Sequence, residues 1–300
     1  MDGVVTVYKE KGYTSHDVIA ILRGVLQTKK IGHTGTLDPD AEGVLPVCLG
    51  RATKAAEDIA GLSKRYIAEL KFGSETDTQD ASGQVTRAYE YQYDAEEVTR
   101  VVESFVGTYD QIPPMYSAIK KNGIKLYDLA RQGIEVERRP RPVTIHEIRL
   151  LEQSPEGARI EVHCSKGAYI RTLCEDIGRR LGYGAHMTSL VRTASGPYTI
   201  EQARTIDELR TLMQEGRQEE FLLSLLQIYA QYPIKQVPAE DDLYLYNGNY
   251  LTYPPDGLAV EAGDLVRMLD SQGQFIGLYK VKYVQEDAVR LIPEKMFVSQ

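Results

Sequence analysis

The chain has 300 residues, 42% hydrophobic and 26% charged, the balance of a globular protein large enough for more than one core. No apolar run approaches the ~20 residues that a membrane-crossing helix needs. The start, MDGVVTVYKEKG, lacks the basic-then-apolar layout of a secretion signal, and Cys48, Cys164 and Cys174 are odd in number and not spaced as metal ligands. A soluble, cytoplasmic chain with reduced, buried thiols is expected.

Residues 4–8, VVTVY, are β-branched and aromatic and read as a strand. A helix follows, with Ser15 as its expected N-cap and Val18, Ile19, Leu22, Val25 and Leu26 at helical spacing. The next segment, GHTGTLDPDAEGVLPVCLG, has neither periodicity until residues 44–49 return to the core as a strand. Residues 52–59 read as a helix closed by Gly61. Lys64–Phe72 alternates, with Tyr66, Ala68, Leu70 and Phe72 on one face. Residues 95–106 are helical, and QIPPMYSAIKKNG then opens a long excursion that ends at ERRPRP. Two strands, 143–151 and 159–164, precede a helix that starts near Tyr169 and runs TLCEDIGRRLG.

These elements do not alternate as βαβ units, so the expected class is α+β with a mixed, largely antiparallel sheet. Beyond residue 231 the texture changes to short strands separated by Asn-Gly, Pro-Pro-Asp-Gly, Ala-Gly-Asp and Ser-Gln-Gly turns. Residues 232–300 therefore form an expected small β-rich domain behind a main domain of residues 1–231, with the excursion at 109–142 as an insertion.

The net charge of −8 argues against a nucleic-acid partner, but its distribution does not. Residues 120–142 hold seven bases (Lys120, Lys121, Lys125, Arg131, Arg138, Arg139, Arg141) against Asp128, Glu135 and Glu137, a net +4. Residues 163–193 carry +3, and the acid excess lies elsewhere, for example in 69–103. Local basic patches on an acidic chain suit a polyanion that touches one face; two solvated loops would look the same from charge alone.

The irregular segment carries the candidate chemistry. Gly32, Gly35 and Gly43 permit backbone that other residues resist, and Pro39 biases Asp38 away from helix. A loop of this kind on a rigid scaffold is where catalytic groups sit, although Asp-Pro is also an ordinary turn. It is not a phosphate loop, because it lacks the GK[ST] ending.

GHTGTLDPDAEGVLPV resembles the signature of the TruB family of tRNA pseudouridine-55 synthases. KEKGYTSHDV is similar to that family's N-terminal motif, with Glu10 where the family commonly has proline. SKRYIAEL, TDTQDASG, QIPPMYSAIKKNGIKLYDLAR, HCSKGAYIRTLCEDIG and GAHMTSLVRT match in order, so the resemblance spans about residues 1–230. YNGNYL with AGDLVRMLDSQGQFIGLYKV looks like a PUA-type RNA-binding domain.

The resemblance implies isomerisation of uridine at position 55 in the T-loop of tRNA, with no cofactor and no metal. It makes Asp38 the catalytic carboxylate, attacking the base at C6 or the sugar at C1′, both chemically open. It makes Arg171 the partner that favours the charged aspartate. Tyr66 would stack on the extruded base, Tyr169 would touch it, and Leu190 would give it an apolar contact. His33 would fill the space vacated in the RNA loop, and Lys9 is the motif lysine, placed with the substrate-binding residues. The basic excursion resembles an RNA-clamping insertion whose cations meet phosphates. The expected partner is the T-arm of tRNA, with no membrane, no obligate protein partner and a monomeric state. Two other readings are a guide-RNA-dependent pseudouridine synthase and a tRNA-binding or tRNA-folding protein with a vestigial site.

Overall fold

The computed structural model describes residues 1–298 apart from Ala118, Asn122, Glu135 and Asp256, with the backbone alone for Lys120, Lys121, Lys125 and Arg131. Those four cations and Glu135 of the basic run thus lie outside the described side chains. The first of two large sheets has ten strands, eight of them in the order Leu222–Leu223, Gly3–Lys9, Glu42–Leu49, Ala185–Ser195, Lys64–Phe72, Gly157–Cys164, Arg141–Ser154, Gly107–Gln111. Ile31–His33 and Tyr198–Thr199 pair off this path. Neighbours run antiparallel except where Glu42 and Gly43 meet Val191 and Arg192 in parallel, so the fold is the expected α+β class with a mixed sheet.

That parallel seam joins two halves with separate cores. Gly3–Lys9 and Glu42–Leu49 are buried on both faces, which explains why they read as continuous apolar runs. Val5, Val7, Leu45 and Val47 pack on helices Ser15–Val25 and Ile206–Gln214. On the other half, Tyr66, Ala68, Leu70 and Phe72 alternate inward as expected and meet helices Ala95–Glu103 and Ile170–Leu181. At the seam the backbones approach so closely that a Cβ on Gly43, at φ +101°, would lie 2.3 Å from the Arg192 carbonyl oxygen.

Two helix ends depart from expectation. Thr14, not Ser15, is the N-cap: its hydroxyl accepts from the Asp17 amide while Asp17 accepts from the Thr14 amide. Ser15 is buried and bonds elsewhere. The segment expected as one helix over 52–59 is a 3₁₀ turn, Gly50–Ala55, running into a short helix, Ala56–Ala60. Its capping Gly61 stays right-handed at φ −71°.

The second sheet has the order Ile234–Gln236, Leu265–Leu269, Phe275–Val284, Val289–Met296, Leu251–Tyr253. It packs on the first through a shared cluster in which Val4, Val44, Cys48 and Ile59 meet Leu269, Phe275, Leu278 and Phe297. Tyr229 sits at this junction, its ring centroid 5.7 Å from that of Phe297, and donates to Asp58 at 2.6 Å. Lys295 reaches the same carboxylate at 2.6 Å. The second sheet is therefore fastened by a continuous core rather than a linker.

Truncating Phe297 to alanine should cost about 3–5 kcal/mol. Urea unfolding followed by circular dichroism and tyrosine fluorescence should show one coincident transition for both sheets; an earlier, separate loss of the C-terminal sheet would contradict the shared core.

Candidate active site

Asp38 lies in the loop between Ile31–His33 and Glu42–Leu49, and the residues around it are tied down. The buried Leu37 before it donates its amide to the Ser15 hydroxyl at 2.9 Å, and the hydroxyl returns a bond to the Leu37 carbonyl at 3.3 Å. The Pro39 carbonyl after it accepts from the Gly12 amide at 2.9 Å and the Lys9 ammonium at 3.1 Å. The Ala41 amide closes a turn on the Asp38 carbonyl at 3.1 Å. The Asp38 side chain remains 44% exposed above this anchored backbone.

Lys9 is placed differently from its sequence reading. It is fully buried, and its other donors go to the carbonyls of Tyr13 at 2.6 Å and Glu10 at 3.1 Å. Burial pulls the ammonium below its ordinary value, against the pull of Glu42 and Asp38. With its donors all taken by carbonyls, Lys9 anchors the loop and has none left for RNA. Glu10, in place of the common proline, leaves the strand intact through Lys9 before Gly12 turns the chain at φ +92°.

Arg171 enters from the first turn of helix Ile170–Leu181 and is 6% exposed. Its Nη2 lies 3.4 Å from Asp38 Oδ2 and also donates to the Tyr116 carbonyl, while its Nη1 lies 3.3 Å from Asp80 Oδ2. One planar guanidinium thus fixes two carboxylates and the root of the basic excursion. Asp80 is itself held through Oδ1 by the Thr78 hydroxyl at 2.7 Å and the Ser82 amide at 3.0 Å. Burial pushes the Asp80 carboxyl up, but the bonds from Ser82 and Thr78 and the Arg171 charge outweigh it and hold the group below its usual value.

Tyr66 and Leu190 stand on adjacent strands, Tyr66 opposite Arg192 and Leu190 opposite Ala68. Both are 9% exposed and share a cluster with Leu37 and Ala41 at the base of the loop. Tyr169 caps the helix start, and Gln111 clamps its backbone from both sides, with bonds of 2.8 Å to its amide and 3.0 Å to its carbonyl. Burial raises both phenols, and the Asp38 charge acts on each. His33 packs edge-on to His16 at 5.3 Å, and burial, then the His16 and Arg192 charges, lower its pKa and keep it neutral at neutral pH. The structure thus brings Asp38 against Arg171 and within electrostatic reach of Tyr66 and Tyr169, with Leu190 in the cluster at the base of the loop, His33 at the loop's start and Lys9 bonded to its Pro39 carbonyl.

Three contributors were not singled out from sequence. Asp80 stood within a quoted motif, and its spacing to Ser82 is that of an aspartate folding back on a following amide. Gln111 opened a quoted motif without being singled out for a role. Arg192 is 2% exposed and donates to the carbonyls of Val44 at 2.6 Å and Gly35 at 3.4 Å, tying both ends of the loop. The cysteines are buried, and desolvation pushes Cys48 and Cys164 up to about 12, so neither is a ready nucleophile. Among the described residues no group of His, Cys, Asp and Glu is placed to hold a metal ion. A partly exposed carboxylate, a buried guanidinium and two tyrosines beside an apolar wall suit attack on, or charge stabilisation at, a flat ring and its attached sugar.

Comparison with known proteins agrees. Residues 23–170 match the family model for the N-terminal domain of TruB family pseudouridylate synthases, and 171–228 match that for the tRNA pseudouridylate synthase B C-terminal domain. The chain is 41% identical to tRNA pseudouridine synthase B of Bacillus pumilus (strain SAFR-032), covering 93% of each chain. It is 47% identical to the protein of that name from Lachnoclostridium phytofermentans, covering 93% of this chain and 95% of the other. Among solved structures, a chain of a Cbf5–Nop10–Gar1 complex superposes with a TM-score of 0.72 at 26% identity, over 99% of this chain and 85% of that one. This chain belongs to the TruB family of pseudouridylate synthases. Its small curled C-terminal sheet resembles the PUA-like part of that architecture.

Two stability measurements follow from the geometry. Ser15→Ala removes both bonds to Leu37 and should cost about 1–3 kcal/mol by chemical denaturation; an unchanged midpoint would show that Leu37 is held by packing alone. Glu175, buried on the Arg171 helix, is pushed up from 4.5 to about 7, by desolvation first and against the Arg179 charge. A raised carboxyl favours the folded state fully below about 4.5, and that contribution is lost as pH rises through about 7. Glu175→Gln should therefore gain stability relative to wild type between pH 5 and pH 8, by at most about 3 kcal/mol; a pH-independent difference would contradict the buried charge.

Proposed function

We propose that this chain isomerises uridine to pseudouridine at position 55 in the T-loop of tRNA, with Asp38 as its catalytic carboxylate. The observation that carries the reading is the aspartate held at the Arg171 fork above the Tyr66 and Leu190 face. In the reaction the C1′–N1 bond breaks, the uracil turns, and C1′ bonds to C5. C5 gives up its proton and N1 gains one, so nothing is added or removed and no redox or group-carrying cofactor is called for. The carboxylate attacks C6 or C1′, or stabilises positive charge at the sugar.

A stacked uridine must be extruded before Asp38 can reach it. Tyr66 takes the face of the extruded base, Tyr169 and Leu190 bound its edges, and His33, neutral and half-buried, fills the space left in the RNA. The basic excursion, 109–142, clamps the backbone through phosphates. Its root bonds to the site twice, through Gln111 to Tyr169 and through the Tyr116 carbonyl to Arg171, so RNA gripped there bears on the catalytic residues. Residues 232–300 act as a second RNA-binding domain behind the catalytic domain, 1–231. The enzyme works in the cytoplasm as a monomer, without guide RNA or protein partner. The relatives at 41–47% identity carry the name tRNA pseudouridine synthase B, while the chain in the Cbf5–Nop10–Gar1 complex shares the fold at 26%.

Purified protein should form pseudouridine in an unmodified tRNA transcript without added RNA; turnover only with a guide RNA would favour the guided reading. Asp38→Asn should abolish the product while tRNA affinity stays within a few-fold, and near-wild-type turnover would remove Asp38 from its role. Reversing the charges of Arg138, Arg139 and Arg141 should weaken binding and flatten its dependence on salt; an unchanged slope would place the clamp elsewhere.

A further inference from the structure

We infer that Gln79 is a positioning residue for the reaction: its side chain, clamped by Thr172 and Glu175, fixes the loop that aims Asp80 at Arg171. The inference rests on the pseudouridine synthase reading above. Gln79 is one of two non-glycine residues with positive φ among the described residues, at +66°. Long side chains avoid this region, and a residue held there beside an active site is kept by its surroundings.

Those surroundings are specific. The Thr172 hydroxyl donates to Gln79 Oε1 at 2.7 Å, and Gln79 Nε2 donates to Glu175 Oε2. Both ends of the amide are used, and both partners sit on the helix that carries Arg171. The backbone is pinned on its other side, where the Met187 amide donates to the Gln79 carbonyl at 3.0 Å and the Ala81 amide to the Met187 carbonyl at 2.8 Å. One helix thus reads two consecutive loop residues, Gln79 through Thr172 and Glu175, and Asp80 through Arg171. Gln79 also lines a cavity of about 550 Å³ beside the helix, so these bonds, not close packing, set its side chain. Without the clamp, relaxation at Gln79 would swing Asp80, and the Arg171 fork would lose one of the two carboxylates that orient it.

Gln79→Gly separates this role from general stability, because glycine accepts the left-handed backbone while deleting the clamp. We expect a cooperatively folded protein whose thermal midpoint falls by only a few degrees, kcat for pseudouridine formation reduced about tenfold, and KM for tRNA within twofold. Gln79→Glu, which sets two carboxylates against each other, should lose kcat in the same way. Adding Glu175→Gln to it restores an amide–carboxylate pair in reverse and should return kcat to within about threefold of wild type. Wild-type kcat in Gln79→Gly, or no recovery in the reversed pair, would overturn the inference. Absence of turnover in wild type measured alongside would instead overturn the functional reading on which it rests.

Discussion

The Arg171 guanidinium is the constraint on which the rest of the site depends. It is almost wholly buried and lies against Asp38, Asp80 and the Tyr116 carbonyl at once. A buried cation is tolerated when it is paired, and here the two terminal nitrogens are engaged by groups from three separate segments, while Nε has no partner among the described residues. The loop of the catalytic candidate, the loop that carries Asp80 and the root of the basic excursion are therefore registered to a single helix. A lysine would supply the charge but not the planar fork that spans these directions.

The fold supplies what that registration needs. The Asp38 loop rises beside the parallel seam where the halves of the first sheet meet, with Leu37 and Ala41 seated in the core of one half. Ser15 and Lys9 hold it through the Leu37 backbone and the Pro39 carbonyl, and Arg192 through the Gly35 and Val44 carbonyls. The second carboxylate does different work from the first. Asp80 is only partly exposed, held by several hydrogen bonds and kept below its usual pKa, whereas Asp38 keeps an exposed face toward an incoming ring. Two aspartates on one arginine are thus split between orienting it and facing substrate.

Much of this was legible in the sequence, for identifiable reasons. Lys64–Phe72 declared its buried face because period-two alternation survives in a sheet covered on one side. The mixed sheet followed from the lack of alternating βαβ units. Asp38 was visible as a loop aspartate fixed by a proline, and the ordered motifs gave it a role. Sequence could not show how polar side chains are used once buried. Ser15 looked like a helix cap because Thr14 and Ser15 are chemically interchangeable there; the choice is made by Leu37, which takes the Ser15 hydroxyl. Lys9 was grouped with the substrate-binding residues because nothing local says that its strand will be covered. Gln111 and Arg192 act on residues 58 and 148 or more positions away, a link that no local pattern carries.

The most direct test of the account is the single-turnover rate of pseudouridine formation in tRNA by Arg171→Lys, measured with tRNA affinity and thermal midpoint. The account predicts a rate at least about a hundredfold below wild type with affinity within a few-fold, because the charge remains while the fork that aims Asp38 is lost. A near-wild-type rate in a folded Arg171→Lys protein would contradict it.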